Sequence, residues 1–401
     1  MYSQETIGGL KYHRTWTPLR KQTTARILIM NLGHIGDFWM SLPALRQARL
    51  LFGSAHITLA VSSWNLSIAK TVNVADEIVA LDYFPEQAKA DAAARIFQQN
   101  VVQEAINLGE FDLAIDIRVP DDTRFIIEGL KAKQKFAFYK DRKGEFRYSL
   151  PQTPLSVRIK RKYRIFSKLG FKKKERKIRE NFAEKMEHCA INASRIINYA
   201  YANSEFSKNT TSIEDVSENI FSIKKDGRAV VAVVPFSNSA LRDWPFERYR
   251  ELILALLDKT KADIHLICNG KNLRVHEIVA VSSLQQDLSS NERFVLKDAL
   301  SRDEFYSALA AANLVISNNS GAGHVAAQLS VPTIGIYTAS HLPDIWGFVG
   351  PKVSMISGDV ECAGCGLDFD ESRCPNGMKC RSMIGVNAIL EESRFLLTQF
   401  T

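Results

Sequence analysis

The chain has 401 residues, of which 46% are hydrophobic and 24% are charged, and its formal net charge is +8. This length exceeds the roughly 250 to 300 residues at which one hydrophobic core stops growing, so we expect two domains. Apolar runs are strand-sized, well short of the about 18 residues of a membrane span, and residues 1–24 lack the apolar centre of a secretory signal. We therefore expect a cytoplasmic protein, with only peripheral contact to any membrane.

Strand-like and helical patterns alternate in the first half of the chain. The predicted strands are 25–30, 56–61, 77–81 and 111–117, and the predicted helices include 45–52 and 88–108. Short apolar runs separated by helical periodicity are typical of strands connected by helices. This alternation favours a parallel sheet with helices on both faces.

Positive charge is concentrated in a basic segment, residues 131–180, which has nineteen Lys or Arg residues and four Asp or Glu residues. The blocks RIKRKYR (158–164) and KKKERK (172–177) suit a surface that faces an anionic lipid, a phosphorylated glycolipid or nucleic acid. A solvated helix face without a partner is the more common meaning of a charge run. Here the large excess favours an anionic partner.

The alternating pattern begins again after the basic segment and the polar stretch 203–219. The predicted strands are 229–236, 263–270, 293–297, 313–321 and 333–338, and the predicted helices between them include 246–260 and 302–312. We predict an N-terminal polar arm (1–24), a first α/β domain (25–224) and a second α/β domain (225–401). Ligands of open parallel sheets bind beyond the carboxyl ends of the strands, so two such domains are expected to face each other across a cleft.

The first strand-to-helix turn reads NLGHIGDFWMSLPAL (31–45). Gly33 and Gly36 permit a close approach of a ligand to the main chain, and the helix start offers unpaired N–H groups. The spacing is neither a dinucleotide fingerprint nor a Walker loop. Asp37 is either an N-cap of the helix or a general base that accepts a proton from an attacking hydroxyl, and the turn alone favours the cap.

Two turns in the second half also follow predicted strands, and one of them, 317–329, corresponds in position to the turn 31–45 of the first half. SNNSGAGHVAAQL (317–329) joins a strand to a helix predicted to begin near Ala322, and its small residues and helix start suit a diphosphate. In PFSNSALRDWPFERYREL (235–252), Arg242 is either a phosphate-binding cation with Trp244 packed beneath it or a solvated loop residue. Taken singly, each turn is weak evidence for a ligand site.

Four of the six cysteines form a cluster near the C-terminus, with the pattern C-x2-C-x8-C-x5-C. The members of this cysteine cluster (362–380) are Cys362, Cys365, Cys374 and Cys380. In a reducing cytoplasm, four thiolates within nineteen residues suit one structural, tetrahedral zinc ion. Cys189 and Cys268 are predicted to be ordinary buried thiols.

Taken together, these turns resemble glycosyltransferase family 9, the heptosyltransferases of the inner core of lipopolysaccharide. RILIMNLGHIGDFWMSLPALRQAR is similar to the opening strand, Gly-Asp turn and helix of the family, and FDLAIDIRVPDDTR to its internal Phe-Asp segment. RDWPFERYREL resembles the Lys-x-Trp-Pro-x-Glu element, and LVISNNSGAGHVAAQL resembles the stretch with Asn-Asp-Thr-Gly-x-x-His. The resemblance covers residues 25 to 390, apart from much of the basic segment.

The resemblance implies a GT-B fold of two Rossmann-like domains and an inverting transfer of heptose from ADP-heptose that needs no catalytic metal. It implies that Asp37 is the catalytic base. The residues implied to bind the acceptor are Gly33, His34, Gly36, Arg118 and Arg124. The residues implied to bind the donor are Arg242, Asn319, Ser320, Gly321, Gly323 and His324. The implied partners are ADP-heptose, a lipopolysaccharide precursor glycolipid and the anionic inner face of the cytoplasmic membrane; no nucleic acid is expected.

Asn319 departs from the family pattern, which has an aspartate at this position, and Ser320 replaces a threonine. An ionised carboxylate only accepts hydrogen bonds, whereas an amide also donates them, so the identity of the donor sugar stays open. One alternative is a family member with another nucleotide sugar and a capsule or surface-glycan acceptor. The other is a non-catalytic, zinc-bearing basic protein that binds lipid or nucleic acid. In addition, Ala322 and Gly323 replace a Pro-Met pair, and we expect a more flexible turn.

Overall fold

The computed structural model describes residues 3–7, 10–14, 25–84, 101–118, 123–140, 146–149, 188–204, 206, 227–269, 273–338, 340–365, 374 and 376–400. Internal contacts divide the chain into two compact units, Pro18–Glu218 and a second unit formed by Asn219–Thr401 with Met1–Thr17. The predicted boundary at 224 and both basic blocks lie outside the described residues. None of the described helices is long and apolar enough to cross a membrane.

The first unit contains a six-stranded sheet with helices around it. Preceding it in the chain, β1 (Ser3–Ile7) and β2 (Leu10–Arg14) pair as an antiparallel hairpin. The strands of the sheet are β3 (Arg26–Asn31), β4 (His56–Val61), β5 (Glu77–Ala80), β6 (Glu110–Asp116), β7 (Lys131–Lys140) and β8 (Phe146–Ser149). The described helices are α1 (Ile35–Leu51), α2 (Leu66–Thr71), α3 (Val101–Asn107), α4 (Arg124–Gly129) and α5 (Cys189–Ala202).

The strand order of this sheet is β5-β4-β3-β6-β7-β8, and every pairing is parallel except that of β7 with β8. The four predicted strands of the first half are therefore present, each within two residues of its predicted ends. Strand β3 is buried along nearly its whole length, which is typical of a parallel strand covered on both faces. The order reverses between β3 and β6, so a ligand site is expected beyond the carboxyl ends of these two strands.

Helix α1 begins ten residues earlier than predicted, and Pro43 lies inside it. An interior proline removes one backbone hydrogen bond and costs about 3 kcal/mol. The helix tolerates this because its side chains are buried on several faces, among them Phe38, Trp39 and Leu42. The turn alone favoured Asp37 as the N-cap, and this is wrong: the N-cap is His34, and Asp37 is the third residue of the helix.

The second unit repeats the same architecture. Its strands are β9 (Val230–Val234), β10 (Asp263–Ile267), β11 (Phe294–Lys297), β12 (Leu314–Asn318), β13 (Thr333–Tyr337) and β14 (Val353–Ser357). Its helices are α6 (Phe246–Lys259), α7 (Val275–Asp287), α8 (Arg302–Ala311), α9 (Gly321–Gln328), α10 (Pro343–Trp346), α11 (Lys379–Ser382) and α12 (Val386–Phe400). The five predicted strands and the two predicted helices of this half are all present.

The strand order of the second sheet is β11-β10-β9-β12-β13-β14, and all pairings are parallel. Both sheets thus have the 3-2-1-4-5-6 order of a Rossmann fold. The core of the second unit is continuous across the sheet and includes Val233, Ile316, Ile334 and Leu252 of α6. The order reverses between β9 and β12, which is the position where this sheet is expected to bind a ligand.

Candidate active site

The predicted site residues of the first unit lie beyond the two strands at which its order reverses. Strands β3 and β6 are neighbours, with Met30 opposite Asp116. Asp37 follows β3 at the start of α1, and Arg118 follows β6 by two residues. The parallel register therefore brings together two side chains that are 81 residues apart in the chain.

The carboxylate of Asp37 has three described contacts, and all of them involve its Oδ2 atom. The backbone N–H of His34 donates to Oδ2 at 2.9 Å, and Nη1 of Arg118 donates at 3.0 Å. The Nδ1 atom of His34 lies 3.8 Å from the same oxygen. Asp37 therefore closes the first turn of α1 by bonding to the N-cap residue, while its second oxygen, Oδ1, accepts none of these bonds.

The electrostatics of this site favour an ionised Asp37. Burial by itself would raise the pKa of the Asp37 carboxyl, since it penalises the charged form. The Arg118 guanidinium and the hydrogen bonds from His34 more than offset this effect and hold the pKa well below its usual range. Asp37 is therefore deprotonated at neutral pH, as a proton acceptor must be.

Arg118 is held in place from its backbone and from its guanidinium. Its backbone N–H donates to Oδ1 of Asp116 at 3.1 Å, and Oδ2 of Asp116 accepts a bond from the Thr123 hydroxyl at 2.8 Å. The guanidinium lies 4.5 Å from the centre of the Phe84 ring, within cation–π distance. The buried carboxylate of Asp116 thus bonds to both Arg118 and Thr123, and Arg124 begins α4 directly after Thr123.

Gly33 is required here because the side chains of Asp37 and Arg118 lie close to its backbone. Its φ does not lie in the positive region. A Cβ atom at Gly33 would lie 2.4 Å from Cβ of Asp37 and 2.8 Å from Nη1 of Arg118. The carbonyl of Gly33 accepts bonds from Nε1 of Trp64 at 3.2 Å and from Nδ2 of Asn65 at 3.0 Å. Gly36 also lacks a positive φ and is the second residue of α1.

Replacing Gly33 by Ala is expected to reduce turnover by about 100-fold, because the new methyl group must displace Asp37 or Arg118 by a substantial fraction of an ångström. Gly53→Ala is the matched control, since its Cβ would have no neighbour closer than 3.5 Å. The measurement is the transfer rate together with the thermal midpoint. Equal activity of the two variants would contradict this assignment.

Aromatic side chains surround His34 and the Asp37–Arg118 pair. The ring of His34 stacks on Trp64, with 5.9 Å between centroids, and lies 5.8 Å from the Phe84 ring. Trp64 is buried, whereas Phe84 is partly exposed. Trp64 and Phe84 follow β4 and β5, and neither belongs to a motif that was recognised in the sequence.

In the second unit, Arg242 lies in a short 3-10 turn (Ala240–Arg242) between β9 and α6. Its Nε atom is buried and has no hydrogen-bond partner among the described residues. A buried, unpartnered guanidinium nitrogen is costly unless a ligand satisfies it, so this position suits an anion. Trp244 is part of the core, and its Nε1 donates to the carbonyl of Ile384 at 3.1 Å.

Asn318 connects the turn after β9 with the turn after β12. Its Oδ1 accepts bonds from the backbone N–H of Trp244 at 3.0 Å and from the Tyr249 hydroxyl at 2.7 Å. Its Nδ2 donates to the carbonyl of Pro235 and to Oδ1 of Asp243, the latter at 3.1 Å. Asn318 was not among the predicted donor-binding residues, and its fully buried side chain holds the two turns together.

Asp243 lies beside this amide and is almost completely buried. Its Oδ1 also accepts the backbone N–H of Ser237 at 2.8 Å, and Nη1 of Arg274 lies 3.5 Å from its Oδ2. Burial raises the pKa of Asp243 to about 6, although the bond from Ser237 and the charge of Arg274 oppose this. The segment that contains Arg242 is therefore fixed on both sides by buried polar groups.

The turn after β12 places the remaining predicted donor residues at the start of α9. Asn319 is buried, and its backbone N–H donates to the carbonyl of Ile336 at 3.2 Å. Ser320 is the N-cap of α9, and its hydroxyl lies 2.8 Å from the Ser317 hydroxyl. Gly321 and Gly323 lie in the first helical turn, where backbone N–H groups are available to an anion.

Gly323 and His324 pack against Phe348. A Cβ atom at Gly323 would lie 2.0 Å from the Phe348 ring, so only glycine fits. The ring of His324 contacts Phe348 edge to face, with 4.8 Å between centroids. The aromatic ring fills the space beside the helix, and the flexibility expected from Ala322 and Gly323 stays a prediction.

Residues 106–371 match the sequence profile of "Glycosyltransferase family 9 (heptosyltransferase)". The chain belongs to glycosyltransferase family 9. A search of curated proteins by sequence found no match.

Solved structures of this family have the same fold. The E. coli ADP-heptose lipopolysaccharide heptosyltransferase II is 16% identical, with a TM-score of 0.58, over 93% of this chain and 99% of that chain. The E. coli heptosyltransferase WaaC with ADP is 14% identical, with a TM-score of 0.61, over 92% of this chain and 99% of that chain. The GT-B class predicted from the sequence, two Rossmann-like domains, is therefore confirmed.

A third similar structure is the iron-containing dodecameric glycosyltransferase TibC from enterotoxigenic E. coli H10407. It is 12% identical, with a TM-score of 0.52, over 98% of this chain and 80% of that chain. At these identities all three similarities establish the fold, while the family itself follows from the profile.

The cysteine cluster of this family 9 member is described only in part. Cys362, Cys365 and Cys374 are half-buried, Cys380 is buried, and none of the four forms a disulfide bond. Among the described residues no group of three or more His, Cys, Asp or Glu side chains could hold a metal ion. Residues 366–373 lie outside the described residues, so zinc stays a prediction from the spacing. Cys189 and Cys268 are buried, as predicted, and burial raises the pKa of Cys268 to about 12.

Proposed function

We propose that this glycosyltransferase transfers a heptose from ADP-heptose to the inner core of lipopolysaccharide, with inversion and without a catalytic metal ion. The observation that supports this most directly is Asp37, an ionised carboxylate with one oxygen not used by its described contacts, beyond the reversal point of the first sheet. Similar solved heptosyltransferases bind ADP or ADP-2-deoxy-2-fluoro heptose, which supports the choice of donor.

In the proposed reaction the acceptor hydroxyl attacks the anomeric carbon of the donor sugar. Its proton passes to Asp37, the new glycosidic C–O bond forms, and the bond from the anomeric carbon to the diphosphate oxygen breaks. ADP leaves with that electron pair. Because a single displacement needs one base and no protein nucleophile, one carboxylate suffices, and the configuration at the anomeric carbon inverts.

Arg242 and the first turn of α9 are proposed to stabilise the departing diphosphate. The buried Nε of Arg242 lacks a hydrogen-bond partner among the described residues, and the N–H groups of the first turn around Gly321 and Gly323 are suited to phosphate oxygens. Asn319, Ser320 and His324 are proposed to contact the sugar and the diphosphate. In this proposal protein cations and backbone dipoles neutralise the charge that a metal ion neutralises in other transferases.

Asn319 supports a second candidate within the same reaction class, a donor other than ADP-heptose with a capsule or surface-glycan acceptor. An amide at this position offers a sugar hydroxyl both a donor and an acceptor, whereas the usual aspartate only accepts. The two candidates differ in the nucleotide sugar that is consumed, and a direct assay separates them.

The test is incubation of the full chain with ADP-heptose, ADP-glucose, UDP-glucose and GDP-mannose, each with deacylated Kdo–lipid A as acceptor. We expect nucleotide release and a product heavier by one heptose with ADP-heptose, at a rate that EDTA does not change. Preference for another donor would favour the second candidate. No turnover with any donor would reject both.

The basic segment is proposed to bring the enzyme to the anionic inner face of the cytoplasmic membrane, where its glycolipid acceptor lies. Replacing three of the Lys and Arg residues in 158–177 by Glu is expected to weaken binding to anionic vesicles by at least about tenfold, since each cation near such a surface contributes about 1 kcal/mol. A matched control reverses three exposed cations of α6, Arg248, Arg250 and Lys259. Equal binding of both variants at low salt would reject the membrane proposal.

A structural metal ion in the cysteine cluster is proposed separately from catalysis. Protein purified without chelator is expected to contain roughly one equivalent of zinc, and iron is to be measured beside it because TibC is described as iron-containing. Replacing Cys362 and Cys365 by Ser is expected to abolish the metal content. Less than about half an equivalent of either metal in the unmodified chain would contradict the site.

A further inference from the structure

The ion pair between Arg118 and Asp37 connects the two loops beyond the reversal point of the first sheet. Nη1 of Arg118 lies 3.0 Å from Oδ2 of Asp37, and the side chains are only 10% and 24% exposed. A charge pair with so little solvent around it is screened weakly and depends strongly on geometry. Arg118 is itself fixed by Asp116 and by the face of Phe84.

The two carboxylate oxygens of Asp37 have different contacts. Oδ2 accepts from the backbone of His34 and from Arg118, whereas Oδ1 accepts none of the bonds described for this carboxylate. A carboxylate fixed through one oxygen has a defined orientation for the other. We propose that Arg118 is a positioning residue of the transfer reaction, which fixes Oδ2 of Asp37 so that Oδ1 takes the proton of the acceptor hydroxyl.

This inference rests on the proposed function and revises the role that the sequence suggested for Arg118, that of an acceptor-binding residue. An arginine that binds the acceptor contributes mainly to KM. An arginine that orients and charges the base contributes mainly to kcat and to the pH dependence of the reaction.

Among the described residues, the charged and titratable groups around Asp37 are His34 from the start of α1, Arg118 from the segment after β6, and Cys189 from α5. Burial raises the pKa of Cys189, and the charge of Asp37 raises it further, so this thiol stays neutral. Arg118 is therefore the main cation at the carboxylate. Without it, burial would raise the pKa of Asp37, and the base would become protonated at higher pH.

The experiment compares pH profiles of kcat/KM for the wild type, Arg118→Met, Arg118→Lys and Arg49→Met, with ADP-heptose and deacylated Kdo–lipid A as substrates. Arg49 forms a similar ion pair with Asp76 at 2.8 Å in the same unit and serves as the matched control. The wild type is expected to show no decline from Asp37 between about pH 5 and 8. Arg118→Met is expected to lose activity at low pH, with a midpoint about one pH unit or more above that of the wild type. It is also expected to lower kcat with little change in acceptor KM.

Arg118→Lys is expected to keep the profile close to that of the wild type, because it keeps the charge, and Arg49→Met is expected to leave the profile unchanged. A higher acceptor KM for Arg118→Met, with kcat and the profile unchanged, would overturn the inference in favour of acceptor binding.

Failure of the proposed function is recognised separately, because wild-type protein would then transfer from no donor. In that case the pair is tested by stability. Since the folded-state pKa of Asp37 is lowered, its ionisation contributes stability above its unfolded pKa of about 4 and loses it as the pH falls. At pH 7, Asp37→Asn is expected to lower the thermal midpoint more in the wild-type background than in Arg118→Met. Equal decreases in both backgrounds would overturn the inference.

Discussion

Replacing Asp37 by Ala is expected to lower kcat for glycosyl transfer by about 10² to 10⁴, which is the usual contribution of a positioned general base. The side chain lies at the reversal point of the first sheet, is ionised, and has one oxygen that its described contacts do not use. Asp37 is the one carboxylate among the described residues that line its pocket, which are Asn31, Asp37, Met40, Ser41, Ile117, Arg118, Cys189 and Ala193. Single-turnover rates with saturating donor and acceptor are the appropriate measurement.

Asp37→Asn sharpens this prediction, because it keeps the shape of the side chain and removes its basicity. We expect it to be nearly as slow as Asp37→Ala. Asp112→Asn is the matched control, since Asp112 is also an ion-paired carboxylate of the first sheet, bonded to Lys133 at 2.7 Å and to the backbone of Arg26. If Asp37→Ala kept turnover near that of Asp112→Asn, the assignment of the base would be wrong.

Strands β3 to β6 and β9 to β13 could be predicted from the sequence because parallel strands covered on both faces are nearly continuous apolar runs, whereas β7, β8 and β14 were not predicted. Strand β12 illustrates this, since each of its five residues is buried. The start of α1 could not be predicted in the same way. Only the stretch 45–52 was predicted as helical, whereas the burial of Trp39 and its neighbours on several faces stabilises a helix that begins at Ile35.

Motifs in the sequence could not predict which residues from distant segments of the chain are in contact. The sequence identified Asp37 and Arg118 separately, but only the parallel register of β3 with β6 places them 3.0 Å apart. His34 was assigned to acceptor binding, and the structure adds that its backbone N–H bonds to the base. Local patterns thus located the turns, while sheet topology determined which side chains interact.

Asn318 and Asn319 also show that a motif can locate a turn without showing which of its side chains interact. Both are buried amides in one turn, and the resemblance to the family drew attention to Asn319. Yet the side chain of Asn318 forms four described hydrogen bonds, to Trp244, Tyr249, Pro235 and Asp243. A sequence pattern cannot tell which of two adjacent amides lies beneath the turn.

Asn318→Asp is therefore expected to destabilise the second unit by roughly 3 to 5 kcal/mol, the cost of an uncompensated charge in a buried network. The substitution replaces the donor Nδ2 by an acceptor, and that acceptor would face the carbonyl of Pro235 and the carboxylate of Asp243. Two neighbouring buried carboxylates share a proton more readily at low pH. Since burial raises the pKa of Asp243 to about 6, the loss should be smaller at pH 5 than at pH 8.

Asn319→Asp is the matched control, because it makes the same chemical change one residue along the chain. It restores the aspartate that the family usually has, at a position directly before α9, where the helix N-terminus stabilises a negative charge. We expect its thermal midpoint to stay near that of the wild type while the relative rates with different nucleotide sugars change, since the side chain loses its N–H donors.

Thermal midpoints at both pH values, measured beside donor preference, separate the two effects. Equal destabilisation by both substitutions would mean that Asn319 also supports the turn, whereas a wild-type midpoint for Asn318→Asp would contradict the structural role of the Asn318 amide.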